Sequence, residues 1–144
     1  MYRWLVRKAV SRLFAQLRAG RTRWFLLLMA DDVHFRFPGE HSWAADYHRK
    51  ADVERWLERY VRVGLQLHPQ EIVVSGPPWR TTVCTHFTDH ARGPDGEIVY
   101  RNEGVLIERL AWGRVKEHIS YEDTQRTAAF DEYLKESAHP RASG

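Results

Sequence analysis

The sequence has a single cysteine, Cys84, among its 144 residues. One cysteine cannot form a disulfide within the chain, so we expect a protein of a reducing cytoplasm. Long apolar runs are missing as well, because the longest, from Trp24 to Ala30, falls far short of the roughly twenty residues that cross a bilayer. The sequence therefore predicts a soluble, cytoplasmic protein that has no membrane partner.

Acidic side chains are absent from residues 1–23, which hold seven basic ones, whereas the rest of the chain holds 15 basic and 19 acidic side chains. A basic amphipathic start is compatible with a nucleic-acid arm, a membrane-surface helix or a transit peptide. We favour the solvated face of a first helix, because apolar residues recur there at helical spacing. No zinc-ligand set, phosphate-binding glycine loop or RNA-binding aromatic signature accompanies the charge, which argues against a nucleic-acid partner.

Hydrophobic patterns predict one domain over residues 1–138, followed by a flexible tail at 139–144. Helical or strand spacing is found, in chain order, at 3–18, 22–30, 33–37, 53–61, 71–75, 79–89, 98–110, 114–123 and 125–135. The order α-α-β-α-β-β-β-β-α predicts an α+β fold, with helices packed into one face of a curved antiparallel sheet.

Four segments resemble the nuclear transport factor 2-like superfamily: LLLMADDVHFRFPG, WAADYHRKADVERWL, NEGVLIERLAWGRV and YEDTQ. This superfamily includes ketosteroid isomerase, limonene epoxide hydrolase, scytalone dehydratase and the SnoaL-like polyketide cyclases. The resemblance covers nearly the whole chain. It implies a cone-shaped fold, in which a curved mixed or antiparallel sheet wraps around N-terminal helices, with a C-terminal helix and a pocket on the concave face.

The resemblance also shows which known chemistry is missing. At the positions of the tyrosine, the aspartate and the protonated acid of ketosteroid isomerase, this chain has Leu13, Phe37 and Val105. These side chains cannot carry protons, so we do not expect steroid isomerisation by that mechanism. The epoxide hydrolase pattern is also incomplete, because Ser120 replaces one of its acids and only Asp123 matches.

The same alignment indicates which residues of the last strand face the pocket. It places His118, Ser120 and Glu122 inward, on a face that a simple core would fill with aliphatic side chains. A buried histidine near a carboxylate has the parts for acid–base work at neutral pH. Alternatively, the strand is exposed at one end, or the register differs by one residue, which would turn every side chain over.

Residues of the first strand are assigned in the same way. Phe35 and Phe37 face the helices, and His34 and Arg36 point to the convex side, which is either solvent or a dimer surface. Aromatic residues that would line a hydrophobic site with these two phenylalanines are Trp43, Tyr47 and Trp79.

Other candidates each have a structural alternative. His41 is a pocket group or part of a surface turn, and His86 is a pocket base or a hydrogen-bonded strand histidine. Glu103, which shares a face with Val105, places a carboxylate near the upper pocket or pairs with an arginine. Asp123 is a catalytic carboxylate by resemblance or the N-cap of the closing helix.

Together these features suggest a small, cofactor-independent SnoaL-like enzyme that performs cyclisation, isomerisation, dehydration or hydration on a hydrophobic, oxygenated small molecule. The catalytic groups would be His118, Glu122, Asp123, His41 and His86, and the substrate would also contact Tyr47, Ser120, Phe35, Phe37, Trp43, Trp79, Glu103 and Val105. We expect a homodimer and no metal, because the eight histidines show no ligand spacing.

The alternative is a non-catalytic small-molecule-binding or dimerisation module of the same fold. An enclosed space on which two titratable groups converge would favour the enzyme, and a space plugged by aromatic side chains would favour the module.

Overall fold

A computed structural model describes residues 1–138; the expected tail at 139–144 lies outside the described residues. The elements in chain order are α1 (Tyr2–Arg18), α2 (Arg23–Leu28), β1 (Met29–Phe37), β2 (Ala45–Tyr47), α3 (Lys50–Arg62), β3 (Gln66–Ser75), β4 (Thr81–Arg92), β5 (Ile98–Ala111), β6 (Arg114–Glu122) and α4 (Thr124–Ala138). This is the predicted α+β order with one additional short strand.

The six strands form one mixed sheet in the order β2-β1-β6-β5-β4-β3. Strands β1 and β6 are parallel, and the other neighbours are antiparallel. The β5–β6 hairpin closes through Trp112 and Gly113, both of which have positive φ (53° and 76°). A two-residue turn needs such φ values to match the twist of the strands that it joins. Long antiparallel pairing of β5 with β4 on one side and with β6 on the other builds the wall of the predicted cone.

Helices α1 and α3 cover the concave face of this sheet. Their inward residues recur at helical spacing, with Val10, Phe14 and Leu17 buried in α1, and Val53 and Leu57 buried in α3. The basic side chains of α1 lie on its exposed side, apart from the half-buried Arg18. Within residues 1–138, no helix is long and apolar enough to cross a membrane.

The structure differs from the sequence prediction most clearly at α2, β1, β2 and β3. Strand β1 begins at Met29 rather than at residue 33. Helix α2 ends at Leu28 rather than at residue 30, because Met29 already pairs with Val115 of β6. Strand β2 was not predicted, since three residues are too few to show a period. Strand β3 begins at Gln66 and contains Pro69, which is tolerated because β3 is an edge strand.

Candidate active site

Two small cavities lie side by side between the helices and the concave face of the sheet. Their volumes are about 40 and 20 Å³, and their shared lining residues are Phe37, Trp56, Tyr60, Asp89 and Glu122. Each volume holds a water molecule, but neither holds a ring-sized ligand. The cone interior is therefore filled mainly by aromatic side chains, with two carboxyl groups among them.

The two carboxyl groups come from strands on either side of β5. Asp89 of β4 lies opposite Asn102, and Glu122 of β6 lies opposite Gly104. Strand alternation points both carboxyls to the concave side. Gly104 makes room for this arrangement, because a Cβ there would lie 2.7 Å from the Glu122 Cβ and 2.9 Å from the Phe87 ring.

Both acids retain protons at unusually high pH. Burial raises the pKa of Asp89 to about 7, and burial together with the charge of Asp89 raises the pKa of Glu122 to about 9. Because the pKa of Glu122 lies above neutral pH, the pair still holds a proton there.

Tyrosine hydroxyls surround the carboxyl pair. The Tyr100 hydroxyl donates to Glu122 Oε2 at 3.4 Å and accepts a hydrogen bond from Asn102 Nδ2 at 2.9 Å. Tyr60 is buried, and neither its hydroxyl nor Asp89 Oδ1 has a hydrogen-bond partner among the described residues. Burial and the nearby carboxylates raise the pKa of both tyrosines, so their hydroxyls stay protonated. The site thus has a free donor beside an open acceptor.

His118 and Ser120 are buried on the concave face, as expected. The sequence suggested Glu122 as the carboxylate partner of His118. The partner in the structure is Glu108, which lies directly opposite His118 on β5, with His118 Nδ1 3.2 Å from Glu108 Oε2. The ring of His118 also stacks on Phe35, with the ring centroids 4.7 Å apart. His118 lines the larger of the two cavities but is already paired, whereas Asp89 is not.

A polar network around the buried Asp131 closes the cone at the turn after β1. Asp131 of α4 accepts hydrogen bonds from the backbone N–H of Ser42, at 2.5 Å, and from its hydroxyl. Arg59 of α3 donates to Ser42 Oγ at 2.6 Å, forms an ion pair with Asp131 at 3.6 Å, and lies over the Trp43 ring. This network fixes Trp43, which is buried and lines the smaller cavity as predicted.

His41 lies in the same turn but does not line either small cavity. Its ring packs edge-on against Phe37, and both ring nitrogens lack partners among the described residues. Burial lowers the pKa of His41, so its neutral form is favoured. His41 therefore supports the wall formed by Phe37 rather than reaching the carboxyl pair.

The expected inward placement of Glu103 and Val105 is wrong by one residue. Tyr100, Asn102 and Leu106 face inward on β5, so strand alternation turns Glu103 and Val105 outward. His86 also lies on the outer face, where its Nε2 is 3.1 Å from Glu103 Oε1. The structural alternative given for His86 is therefore correct, whereas Glu103 pairs with His86 rather than with an arginine, and neither residue faces the cavities.

Asp123, Trp79 and Tyr47 also lie outside the cavities. Asp123 caps α4, since its Oδ1 accepts from the backbone N–H groups of Gln125 and Arg126 at 3.0 and 3.3 Å. Trp79 follows the Gly76–Pro78 break, which turns it out of the sheet to 59% exposure. Tyr47 packs on the far side of Phe35, at 6.3 Å between ring centroids.

A third cavity of about 350 Å³ lies between α1 and the hairpin end of the sheet. It is lined mostly by aliphatic side chains, including Val6, Val10 and Leu13. The carboxylate among its lining residues, Glu108, is already bonded to His118. This cavity has room for an apolar ligand, but it lacks the unpartnered polar groups of the carboxyl site.

The sequence interpretation missed Asp89, Tyr60 and Tyr100. A signal for Asp89 was present, because Val83 and Phe87 set the inward face of β4, and the same alternation leads to Asp89. An acid on a core face is the local conflict that marks functional sites. Tyr60 gave no such signal, since a tyrosine on the apolar face of α3 is indistinguishable from a core residue.

The fold described above is the nuclear transport factor 2-like fold, as the sequence resemblance implied. No protein-family model matches the chain, and no curated protein matches it in sequence. Similar solved structures include Bal32a from a soil-derived mobile gene cassette, with a TM-score of 0.72, 16% identity, and coverage of 86% of this chain and 94% of that chain.

Two other solved structures carry names that bear on fold and chemistry. One is a candidate polyketide cyclase from Xanthomonas campestris pv. campestris, with a TM-score of 0.64, 16% identity, and coverage of 90% of this chain and 98% of that chain. The other is an NTF2-like protein from Burkholderia xenovorans LB400, with a TM-score of 0.60, 18% identity, and coverage of 85% and 93%. At such identities the similarity establishes the fold alone.

Proposed function

We propose that this protein is an acid–base enzyme that moves a proton within a small, hydrophobic, oxygenated molecule, as in isomerisation, cyclisation or dehydration. The observation that carries this proposal is a pair of carboxyls, the buried Asp89 and the half-buried Glu122, which face one apolar cavity without a cationic partner among the described residues. The candidate polyketide cyclase among the similar structures is compatible with such chemistry.

The roles of the two acids follow from their environments. Glu122 keeps its proton above neutral pH and donates a hydrogen bond to a substrate carbonyl or enol oxygen, where negative charge develops. Asp89 titrates near neutral pH, so its ionised form removes a proton from the adjacent carbon and returns it at another. The free hydroxyl of Tyr60 provides a second donor to the same oxygen.

Substrate entry requires the aromatic lining to move. Phe37 and Trp56 line both small cavities, so displacement of either ring merges the two spaces into one. Trp56 is restrained by its Nε1–H, which donates to the Trp43 carbonyl at 3.0 Å, whereas Phe37 makes only ring contacts. We propose that Phe37 is the ring that moves.

The test uses a small bicyclic ketone, 2-tetralone, in deuterated buffer, with exchange of its α-protons followed by NMR. We expect the wild-type protein to accelerate exchange over buffer, and Asp89→Asn to lose about 100-fold or more of that acceleration. Glu103→Gln, which removes an acid from the outer face, serves as the matched control and should retain full activity. Equal exchange rates with wild type and Asp89→Asn would contradict the proposed roles.

A second candidate function is non-catalytic binding of an apolar small molecule. Two observations favour it. Aromatic side chains fill most of the cone interior, and the cavity of about 350 Å³ beside α1 falls in the range of ligand sites, whereas the carboxyl cavities do not. Fluorescence titration with 1-anilinonaphthalene-8-sulfonate tests this function. Ala9→Trp places a large side chain in this cavity. Loss of binding in Ala9→Trp but not in Asp89→Asn would support the binding module.

A further inference from the structure

Three metal-ligating side chains meet on the outer face of the sheet, away from the cavities. Strands β1 and β2 pair antiparallel, with Phe35 opposite Tyr47 and Arg36 opposite Asp46. One step further, the same register places His48 opposite His34, and strand alternation directs Asp46 to the same side. The result is a cluster of His34, Asp46 and His48 on the convex face.

The donor atoms of this cluster converge. The Nε2 atoms of His34 and His48 lie 2.7 and 3.5 Å from the same oxygen, Asp46 Oδ1. The two rings are nearly parallel, with centroids 4.3 Å apart, so they reach the carboxylate side by side. Ligands at about 2.0–2.2 Å around a tetrahedral zinc ion lie roughly 3.3–3.5 Å from one another. The His48–Asp46 distance of 3.5 Å matches this spacing, and the His34–Asp46 distance of 2.7 Å must lengthen by about 0.6–0.8 Å.

The hydrogen bonding within the cluster also suits a cation. An ionised carboxylate only accepts, so the His34 Nε2–H donates to it. A metal ion would take the place of this shared proton.

We propose that His34 Nε2, His48 Nε2 and Asp46 Oδ1 form a binding site for a divalent transition-metal ion of the zinc class. Two imidazoles and one carboxylate are a ligand set that such ions prefer. The side chains of Asp46 and His48 are each 68% exposed, so water can occupy the remaining coordination positions. The bound ion would tie the three-residue strand β2 to β1 on the side opposite Phe35.

This site is independent of the proposed acid–base activity. The site could not be predicted from spacing along the chain, because His34 and Asp46 are twelve residues apart and become neighbours only through the pairing of β1 with β2. The expectation of no metal rested on spacing along the chain, which is blind to ligands on paired strands.

The test is a titration of the untagged protein with Co²⁺, followed by visible absorption, and with Zn²⁺, followed by calorimetry. We expect one ion per chain and the absorption bands of low-coordinate Co²⁺. His48→Gln and Asp46→Asn should each weaken binding by about tenfold or more, since removal of a ligand costs at least as much as removal of a group that orients one. Both side chains are exposed, so these variants should fold.

The matched control is His68→Gln. His68 and His90 form another stacked pair, with centroids 5.5 Å apart, but no third ligand joins them among residues 1–138. His68→Gln should bind Co²⁺ as the wild type does, and Zn²⁺ should raise the unfolding temperature of this variant but not that of His48→Gln. Unchanged affinity in His48→Gln and Asp46→Asn, binding that depends on His68, or no stoichiometric binding at all would overturn the proposal.

Discussion

Asp89 and Asp131 are nearly equally buried, at 5% and 6% exposure, but their surroundings differ completely. Asp131 accepts two hydrogen bonds from Ser42 and pairs with Arg59. Asp89 Oδ1 has no partner among the described residues and faces a cavity. The burial of an acid therefore says little about its role until the groups that compensate its charge have been counted.

In the function proposed above, this difference separates a structural acid from a catalytic one. The hydrogen bonds and the ion pair of Asp131 offset the cost of burying its charge, so this residue joins α3 and α4 to the turn after β1. Asp89 and Glu122 instead avoid the cost by holding protons, which leaves reactive groups in an apolar space. Such an arrangement lowers stability and is retained where chemistry needs it.

The largest expected effect comes from breaking the compensated site. Asp131→Ala leaves the Ser42 N–H and hydroxyl without their acceptor and removes the partner of Arg59, which is largely buried. We expect the free energy of unfolding to fall by about 3 kcal/mol, measured by urea denaturation. Ser42→Ala, which keeps the backbone hydrogen bond to Asp131, should lose less. A loss below that of Ser42→Ala would show that the network does not hold the turn.

At the uncompensated acid, Asp89, the expected effect is a dependence of the free energy of unfolding on pH. A carboxyl with a raised pKa binds more protons in the folded than in the unfolded state, so the free energy of unfolding falls as pH rises. For Asp89 this interval runs from about pH 4, its unfolded value, to the folded value of about 7. We expect the free energy of unfolding of the wild type to fall more steeply than that of Asp89→Asn across this interval, by up to about 1.4 kcal/mol per pH unit, measured by urea denaturation at several pH values.

The matched control for that experiment is Glu103→Gln, because Glu103 is an exposed acid on the outer face of β5. Its pH profile of stability should follow that of the wild type. A wild-type profile that is flat between pH 4 and 7, or one that Asp89→Asn does not change, would mean that Asp89 is compensated after all.

The smallest effect is expected at a third aspartate, the exposed Asp123. Its carboxylate caps α4, so Asp123→Ala should lower the free energy of unfolding by about 1 kcal/mol, and Asp123→Asn by less, because asparagine also caps helices. Thermal unfolding measures both. Ketone exchange should be unaffected in either variant, and its loss would return Asp123 to the list of catalytic groups.

Much of the fold follows from local pattern. The spacing of Val53 and Leu57 predicts α3, and alternation through Val83 and Phe87 predicts β4. The short strand β2 and the early start of β1 were not predictable in this way. Both depend on pairing with distant strands, and neither leaves a period in the sequence.

The site was harder to predict because its residues depend on strand register. His118 and Ser120 were placed inward correctly, since β6 aligned well, whereas a slip of one residue on β5 exchanged Glu103 and Val105 for Asn102 and Gly104. The partner of His118 was missed for the same reason, because only the register of β5 with β6 brings Glu108 opposite it.

The most direct test of the central claim is a ¹³C NMR titration of the side-chain carboxyls in wild-type protein, Asp89→Asn and Glu122→Gln. We predict two carboxyls that remain protonated well above pH 5. The titration with the higher pKa should disappear in Glu122→Gln, and in Asp89→Asn it should move to lower pH because the like charge of Asp89 is gone. If every carboxyl of the wild type is ionised by about pH 5, the pair holds no proton at neutral pH, and the proposed acid–base site does not exist.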